Sequence, residues 1–160
     1  MVVNISCFVY GSVYCRCAST QCKAHKTRQA SYHSADKGDI HFVSVVSKVQ
    51  ILADRDRLLQ ITENIINNAR KYAKSEIKIS LEKSESQIFL RFRDFGKGIP
   101  DEDMPFIFDK FYRGKNCEKE QGSGLGLYIV KYLTEKMGGK VQLQNHDNGL
   151  EVTVSFPFIP

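Results

Sequence analysis

Asn64, Asn68 and Lys71 recur at i, i+4 and i+7 within TENIINNARKYA, a spacing that puts two amide oxygens and an ammonium on one stripe of a helix. Beside them Leu58, Ile61, Ile65, Ala69 and Tyr72 form an apolar stripe, so the helix has one face committed to a core. Asparagine is a poor mid-helix residue because its amide competes for backbone hydrogen bonds, at a cost of about half a kcal/mol relative to alanine. Something other than helix stability therefore selects Asn64, Asn67 and Asn68. An oxygen ligand for a hard cation next to a cation for phosphate is what a magnesium–nucleotide complex requires. A face that only meets water would favour Glu, Lys and Gln.

Two glycine-bearing stretches supply complementary chemistry. In DFGKGIP, Asp94 stands at a strand end, and Gly96 and Gly98 let the backbone turn sharply and come close to a flat ligand. A carboxylate there can accept a hydrogen bond from an exocyclic amine, which would pick out adenine, although the same spacing also describes many turns. In EQGSGLGLYIV, Gly122, Gly124 and Gly126 precede or begin a helix, and their unobstructed N–H groups together with the helix dipole make a cradle for phosphate oxygens. No Lys-Ser/Thr pair accompanies them as in a P-loop, and no strand leads straight into them as in a dinucleotide fold.

The elements that must position these residues follow from periodicity. IHFVSVV reads as a strand and VQIL as a second short one, before ADRDRLL opens a helix predicted to reach about Tyr72. EIKISLE and QIFLRFRDF alternate apolar with polar residues as half-buried strands, joined by a hairpin turn at KSESQ. DEDMPFIF is predicted to be a short helical turn, and RGKNCEKEQ, with almost nothing to bury, a mobile loop. GLGLYIVKYLTEKM returns to helical spacing and ends at Gly138 and Gly139, and KVQLQN and LEVTVSF close the chain as strands around the turn signal HDNG. The expected fold class is α+β, a two-layer α/β sandwich in which two long helices and a short one cover one face of a mixed, mostly antiparallel sheet. Residues 1–39 show no sustained period and stay unassigned, as a linker or truncated neighbour, which places the domain at 40–160.

The chain of 160 residues is 42% hydrophobic and 26% charged with 4 prolines, which is a globular composition and excludes disordered and fibrous classes. Of the formal net charge of +5, residues 1–39 supply +3 through five Lys/Arg against two Asp, and no basic run or aromatic-interleaved stripe points to nucleic acid. No apolar stretch is long enough to span a bilayer, and MVVNISCFVYGSV lacks the basic start and cleavage site of a signal peptide, so the expected location is cytoplasmic. Cys7, Cys15, Cys17 and Cys22, with His25 nearby, match no common zinc spacing, and together with Cys117 they read as reduced, incidental thiols.

NIINNARKY, DFGKGIP, FIFDKFYRG and GSGLGL, in that order, closely resemble the N, G1, F and G2 boxes of sensor histidine kinases. The resemblance takes in residues 40–159 and implies the ATP-binding catalytic domain of that family, with the Bergerat fold shared by gyrase, MutL and a heat-shock chaperone. By that resemblance Asn68 is the magnesium ligand, Asn64 lines the site one turn earlier, and Lys71 and Tyr72 contact phosphates. Asp94 recognises adenine, with Gly96, Gly98 and Ile99 shaping the wall beside the base. Phe108 and Phe111 belong to the F box, Arg113 faces the phosphates, and residues 113–121 form an ATP lid. Gly122, Ser123, Gly124, Leu125, Gly126 and Leu127 close the cradle. Asn68, Lys71 and Arg113 would carry catalysis, with ATP and Mg2+ as cofactors.

The resemblance also bears on mechanism. ATP-hydrolysing relatives place a glutamate four residues before the magnesium Asn; here that position is Asn64, a poor base, and Glu63 is rotated from it by about 100°. Transfer to another nucleophile is thus expected over hydrolysis. None of HKTRQA, HSADKG or HFVSVV matches the family's HExxxP phosphoacceptor pattern, and His146 is expected in a turn. The expected partners are therefore a histidine-containing dimerisation domain elsewhere and a downstream response regulator, with the chain acting in trans or as an excised catalytic domain. A non-catalytic ATP-binding module and a serine-directed kinase on the same scaffold are the alternatives.

Overall fold

The computed structural model describes residues 1–5, 8, 40–44, 46, 49–114 and 122–159. The cysteine cluster with His25, Cys117, and the stretch of the expected lid from 115 to 121 lie outside the described residues. The strands are β1 (Val2–Asn4), β2 (Ile40–Ser44), β3 (Gln50–Leu52), β4 (Ile77–Lys83), β5 (Gln87–Asp94), β6 (Lys140–His146) and β7 (Gly149–Ile159). The helices are α1 (Arg55–Asn68), which widens into a π turn at Ala69–Ala73, and α2 (Gly126–Lys136).

The sheet runs β1-β3-β7-β5-β4-β2, with β6 also on β7, and every pair is antiparallel except β2 with β4. Register explains how one face becomes apolar. Leu81 faces Leu90 and Leu90 faces Val154; Ile79 faces Phe92 and Phe92 faces Val152, so the buried rows align across three strands. Leu58, Ile61 and Ile65 of α1, and Val130 and Leu133 of α2, join those rows in a single core. The opposite face is polar: Arg91 bonds Glu82 at 3.3 Å, Glu151 at 3.0 Å and Thr153 at 3.2 Å. The two-layer α+β sandwich expected from periodicity is what forms.

Four local details depart from expectation. The segment DEDMPFIF is a run of reverse turns, with Asp103 N–H bonded to Pro100 O at 2.9 Å and Phe106 N–H to Asp103 O at 3.0 Å, rather than a helix. Pro105 has no N–H to continue a helical ladder and disfavours helical geometry at Met104. The predicted end of the first helix near Tyr72 holds only with a change of pitch, since Lys74 closes the π turn with φ 53 and donates to Ala69 O at 3.2 Å. In the segment left unassigned, Val2–Asn4 pairs antiparallel with β3 and buries Val3, a strand too short to show a period. His146, expected in a turn, is the last residue of β6, and Asp147 and Asn148 make the turn.

The start of α1 is fixed by Asp54, whose Oδ1 accepts from the N–H groups of Asp56 at 2.9 Å and Arg57 at 3.0 Å. Asp54→Ala is expected to lower stability by about 1 kcal/mol, seen as a reduced denaturant midpoint at unchanged slope. An unchanged midpoint would mean that the cap carries no stability.

Candidate functional site

α1 turns Ile61, Thr62, Ile65 and Ile66 into the core and leaves Asn64, Asn68 and Lys71 half-buried along its flank, with Glu63 and Asn67 exposed. The amide stripe predicted by periodicity is thereby realised, whereas Tyr72, expected on the apolar stripe, is exposed because the π turn shifts it off that face. Asn64 Nδ2 donates to Gln60 O at 2.7 Å, which turns its Oδ1 outward toward α2. A Cβ placed on Gly126 would stand 3.3 Å from Asn64 Oδ1 and 3.4 Å from both Asn68 amide atoms. The first residue of α2 therefore rests directly on the two asparagines, a distance that only glycine keeps free of a side chain.

Lys71 extends the same line. Its Nζ donates to Tyr72 Oη at 2.9 Å and lies 2.7 Å from where a Cβ on Gly122 would be. Ser123 next to it is exposed, and Leu125 and Leu127 are half-buried. Leu125 precedes α2 at its N-cap and offers no side-chain cap, so the N–H groups of the first turn of α2 are left for solvent or a ligand. The contrast with the carboxylate cap of α1 is sharp.

Gly124 ties the glycine run to the segment before it. Its φ is +69°, and its carbonyl accepts from the Phe111 N–H at 3.1 Å, while a Cβ would stand 2.7 Å from Phe111 C and Tyr112 O. Phe111 itself has φ +65° and an exposed side chain. Tyr112 Oη donates to Oδ1 of the buried Asp103 at 2.7 Å, and this hydrogen bond is the chief reason its pKa is pushed up to about 12. Phe108 is half-buried, with the Lys131 ammonium 5.4 Å over its ring. Arg113 stands exposed two residues before the segment that lies outside the description.

Asp94 is buried at the end of β5, and its Oδ1 accepts from the N–H groups of Gly96 at 3.0 Å and Leu150 at 3.2 Å. Among the described residues its Oδ2 accepts no hydrogen bond. Gly96 packs on the π turn, where a Cβ would meet Ala73 at 2.6 Å, and Phe95 N–H donates to Ser75 Oγ at 2.9 Å. Gly98 and Ile99, both half-buried, lie against Asn145 of β6. The widened turn that ends α1 thus touches the loop after β5, and the flank of α1 touches the glycine run. Asn64, Asn68, Lys71, Tyr72, Gly122 and Gly126 are brought together, while Gly96 meets Ala73 on another side of the turn. Asn145, Asp103 and Tyr112 went unnoticed as positioning groups; the one available signal was an amide closing the apolar row of KVQLQN.

The family of histidine kinase-, DNA gyrase B- and HSP90-like ATPases matches residues 53–160. The sensor histidine kinase YvrG of Bacillus subtilis is 34% identical over 122 residues, which are 74% of this chain and 21% of that protein. The solved catalytic domain of histidine kinase ThkA, in a nucleotide-free form, is similar at 30% identity and TM-score 0.66, over 76% of this chain and 81% of that one. The mycobacterial sensor histidine kinase MprB shares the fold at TM-score 0.72 and 23% identity, over 100% of this chain and 98% of that one. The chain spans no more than about a fifth of the length of the curated relatives it matches. Because residues 53–160 include α1, α2, four strands of the sheet and every residue gathered on the flank of α1, the chain belongs to the histidine kinase-, DNA gyrase B- and HSP90-like ATPase family.

Proposed function

We propose that this chain is the MgATP-binding catalytic domain of a two-component sensor histidine kinase. It passes the γ-phosphoryl group of ATP to a histidine on a separate dimerisation domain, which then serves a response regulator. The observation that carries this reading is the seating of Gly126 on Asn64 and Asn68 with Lys71 Nζ beside Gly122, which sets amides, an ammonium and open backbone side by side. The unit assigned to the chemistry is residues 40–160, with Val2–Asn4 extending its sheet. Dependence on ATP puts its work in the cytoplasm. No helix among the described residues is long and apolar enough to cross a membrane.

Asn68 is assigned to Mg2+. Its carboxamide is a hard oxygen donor, half-buried beside the start of α2. Mg2+ takes one or two protein ligands and completes its shell with water and phosphate, so a single amide suits it. Among the described residues no group of three or more His, Cys, Asp or Glu offers a denser site. When bound, the ion neutralises charge on the phosphate oxygens. Lys71, held by Tyr72, and Arg113 are the cationic groups assigned to the phosphates, with the bare first turn of α2 donating N–H groups from Gly126 and Leu127. Ser123, Gly124 and Leu125 complete that wall. Asp94 is assigned to the exocyclic amine of adenine, with Gly96, Gly98 and Ile99 along the base and Phe108 at the outer side.

Asn64 takes the place where ATP-hydrolysing relatives carry a glutamate. Its amide has no basicity, and Glu63 lies exposed off the amide stripe. A water molecule would need a base to lose its proton as it attacks. A neutral imidazole nitrogen needs none: it forms the N–P bond while the bond from the γ-phosphorus to the bridging oxygen breaks, and ADP departs. Placing a carboxylate at position 64 should therefore raise hydrolysis. Asn64→Glu is expected to increase phosphate release from ATP about tenfold or more, in line with general-base contributions. No increase, with nucleotide still bound, would contradict the role given to Asn64.

The function itself is tested by mixing the chain with γ-labelled ATP and a dimerisation domain taken from a related sensor histidine kinase. Label that is acid-labile and base-stable on that domain is expected, and the Asn68→Ala chain should leave it unlabelled. Acid-stable label would assign a serine-directed kinase instead, and bound ATP with no transfer would make the chain a binding module.

A further inference from the structure

The core-facing row of β6 runs Val141, Leu143, Asn145, and the register sets these opposite Val154, Val152 and Leu150 of β7. A carboxamide that ends an apolar row is costly unless both its donor and its acceptor are met. Here both go to one residue. Asn145 Nδ2 donates to Ile99 O at 2.6 Å, and Asn145 Oδ1 accepts from the Ile99 N–H at 3.0 Å. Pairing with both main-chain groups of a residue fixes its position and the orientation of its peptide planes, as a ladder does between strands. A Cβ on Gly98 would stand 2.6 Å from Asn145 Oδ1, so the loop lies on the amide itself.

The same hairpin grips this loop at two further points. Leu150, which faces Asn145 across the hairpin, donates its N–H to Asp94 Oδ1 at 3.2 Å. Arg93 Nη2 donates to Asn148 O at 2.8 Å and to Asn148 Oδ1 at 3.0 Å, and Arg93 Nη1 donates to Asp94 O. Asp94 is thus held by the hairpin from one side and by Gly96 from the other, and its Oδ1 is fully used. Oδ2 is left as a fixed acceptor.

We propose that Asn145 is a positioning residue for base recognition. By clamping Ile99 it holds the loop after β5 so that Asp94 presents Oδ2 in one orientation, which favours a 6-amino purine over a 6-oxo purine. The inference rests on the assignment of Asp94 to the base made above. A fixed acceptor is matched by an amine and opposed by a carbonyl, whereas a carboxylate free to turn toward water loses both the reward and the penalty.

The test is calorimetric titration of the full chain with ATP and with inosine triphosphate, each with Mg2+, for wild type, Asn145→Ala and Asn145→Asp. Wild type is expected to prefer ATP. Both variants should lose about tenfold of that preference, mainly through weaker ATP binding, with inosine triphosphate affinity changed by about twofold or less. Asn145→Asp keeps the size of the side chain and the acceptor for the Ile99 N–H, and it decides the matter if Asn145→Ala does not fold. A folded variant that keeps the wild-type preference, or that loses affinity for both nucleotides equally, overturns the role given to Asn145. A wild-type chain that binds both nucleotides alike overturns the assignment of Asp94, and this inference with it.

Discussion

The start of α2 lies against the flank of α1 through a residue that has no side chain. The proposed nucleotide site depends on that approach. With Gly126 at 3.3 to 3.4 Å from the asparagine amides, measured from where a Cβ would be, the uncapped N-terminus of one helix and the polar stripe of the other form adjoining walls. A side chain at position 126 would press on the Asn64 and Asn68 amides, which must then shift by a few tenths of an ångström or more, while Val130 and Leu133 further along α2 keep their places in the core. Partial positive charge at the helix start and the Lys71 ammonium then act on the same space, which is the electrostatics an anionic ligand needs.

Segments distant in sequence are held around this contact mainly through the backbone. Phe111 binds Gly124, Ala73 meets Gly96, and Ile99 is clamped by Asn145. The π turn belongs to the same logic: widening the last turn of α1 puts Lys71 and Tyr72 on one side and Ala73 against the loop on another, and such insertions often occur at functional sites. Tyr112 fastens the segment before the glycine run through Asp103. Its pKa is raised from 10.0 to about 12, so the hydroxyl remains a donor at any physiological pH. The sign follows: the stabilisation is fully present below pH 10.0 and is lost only as pH rises through about 12.

Much of this architecture was legible before any coordinates. Ile77, Ile79 and Leu81 alternate because one face of β4 is buried, and the same holds for Ile88, Leu90 and Phe92, so period alone identified both strands. Asn64, Asn68 and Lys71 stood out because helix energetics argues against two of them. What stayed hidden has physical reasons. Val2–Asn4 is a three-residue strand whose pairing is entirely non-local. The change from α to π pitch alters a period over only five residues, too few to detect. Pro105 broke a helix that the surrounding pattern favoured. Asn145 looks like any surface amide in a strand, and only the sheet register reveals that it ends a half-buried row beside the loop it holds.

The central claim is that α1 and the glycine run make one nucleotide site, and filling the gap between them tests it most directly. Gly126→Val puts a branched side chain onto Asn64 and Asn68 at the start of an otherwise unaltered helix. Titration with MgATP is expected to show a loss of affinity of about thirtyfold or more, while circular dichroism and the unfolding midpoint stay close to wild type. A folded Gly126→Val chain that binds MgATP as tightly as the wild type would contradict the account.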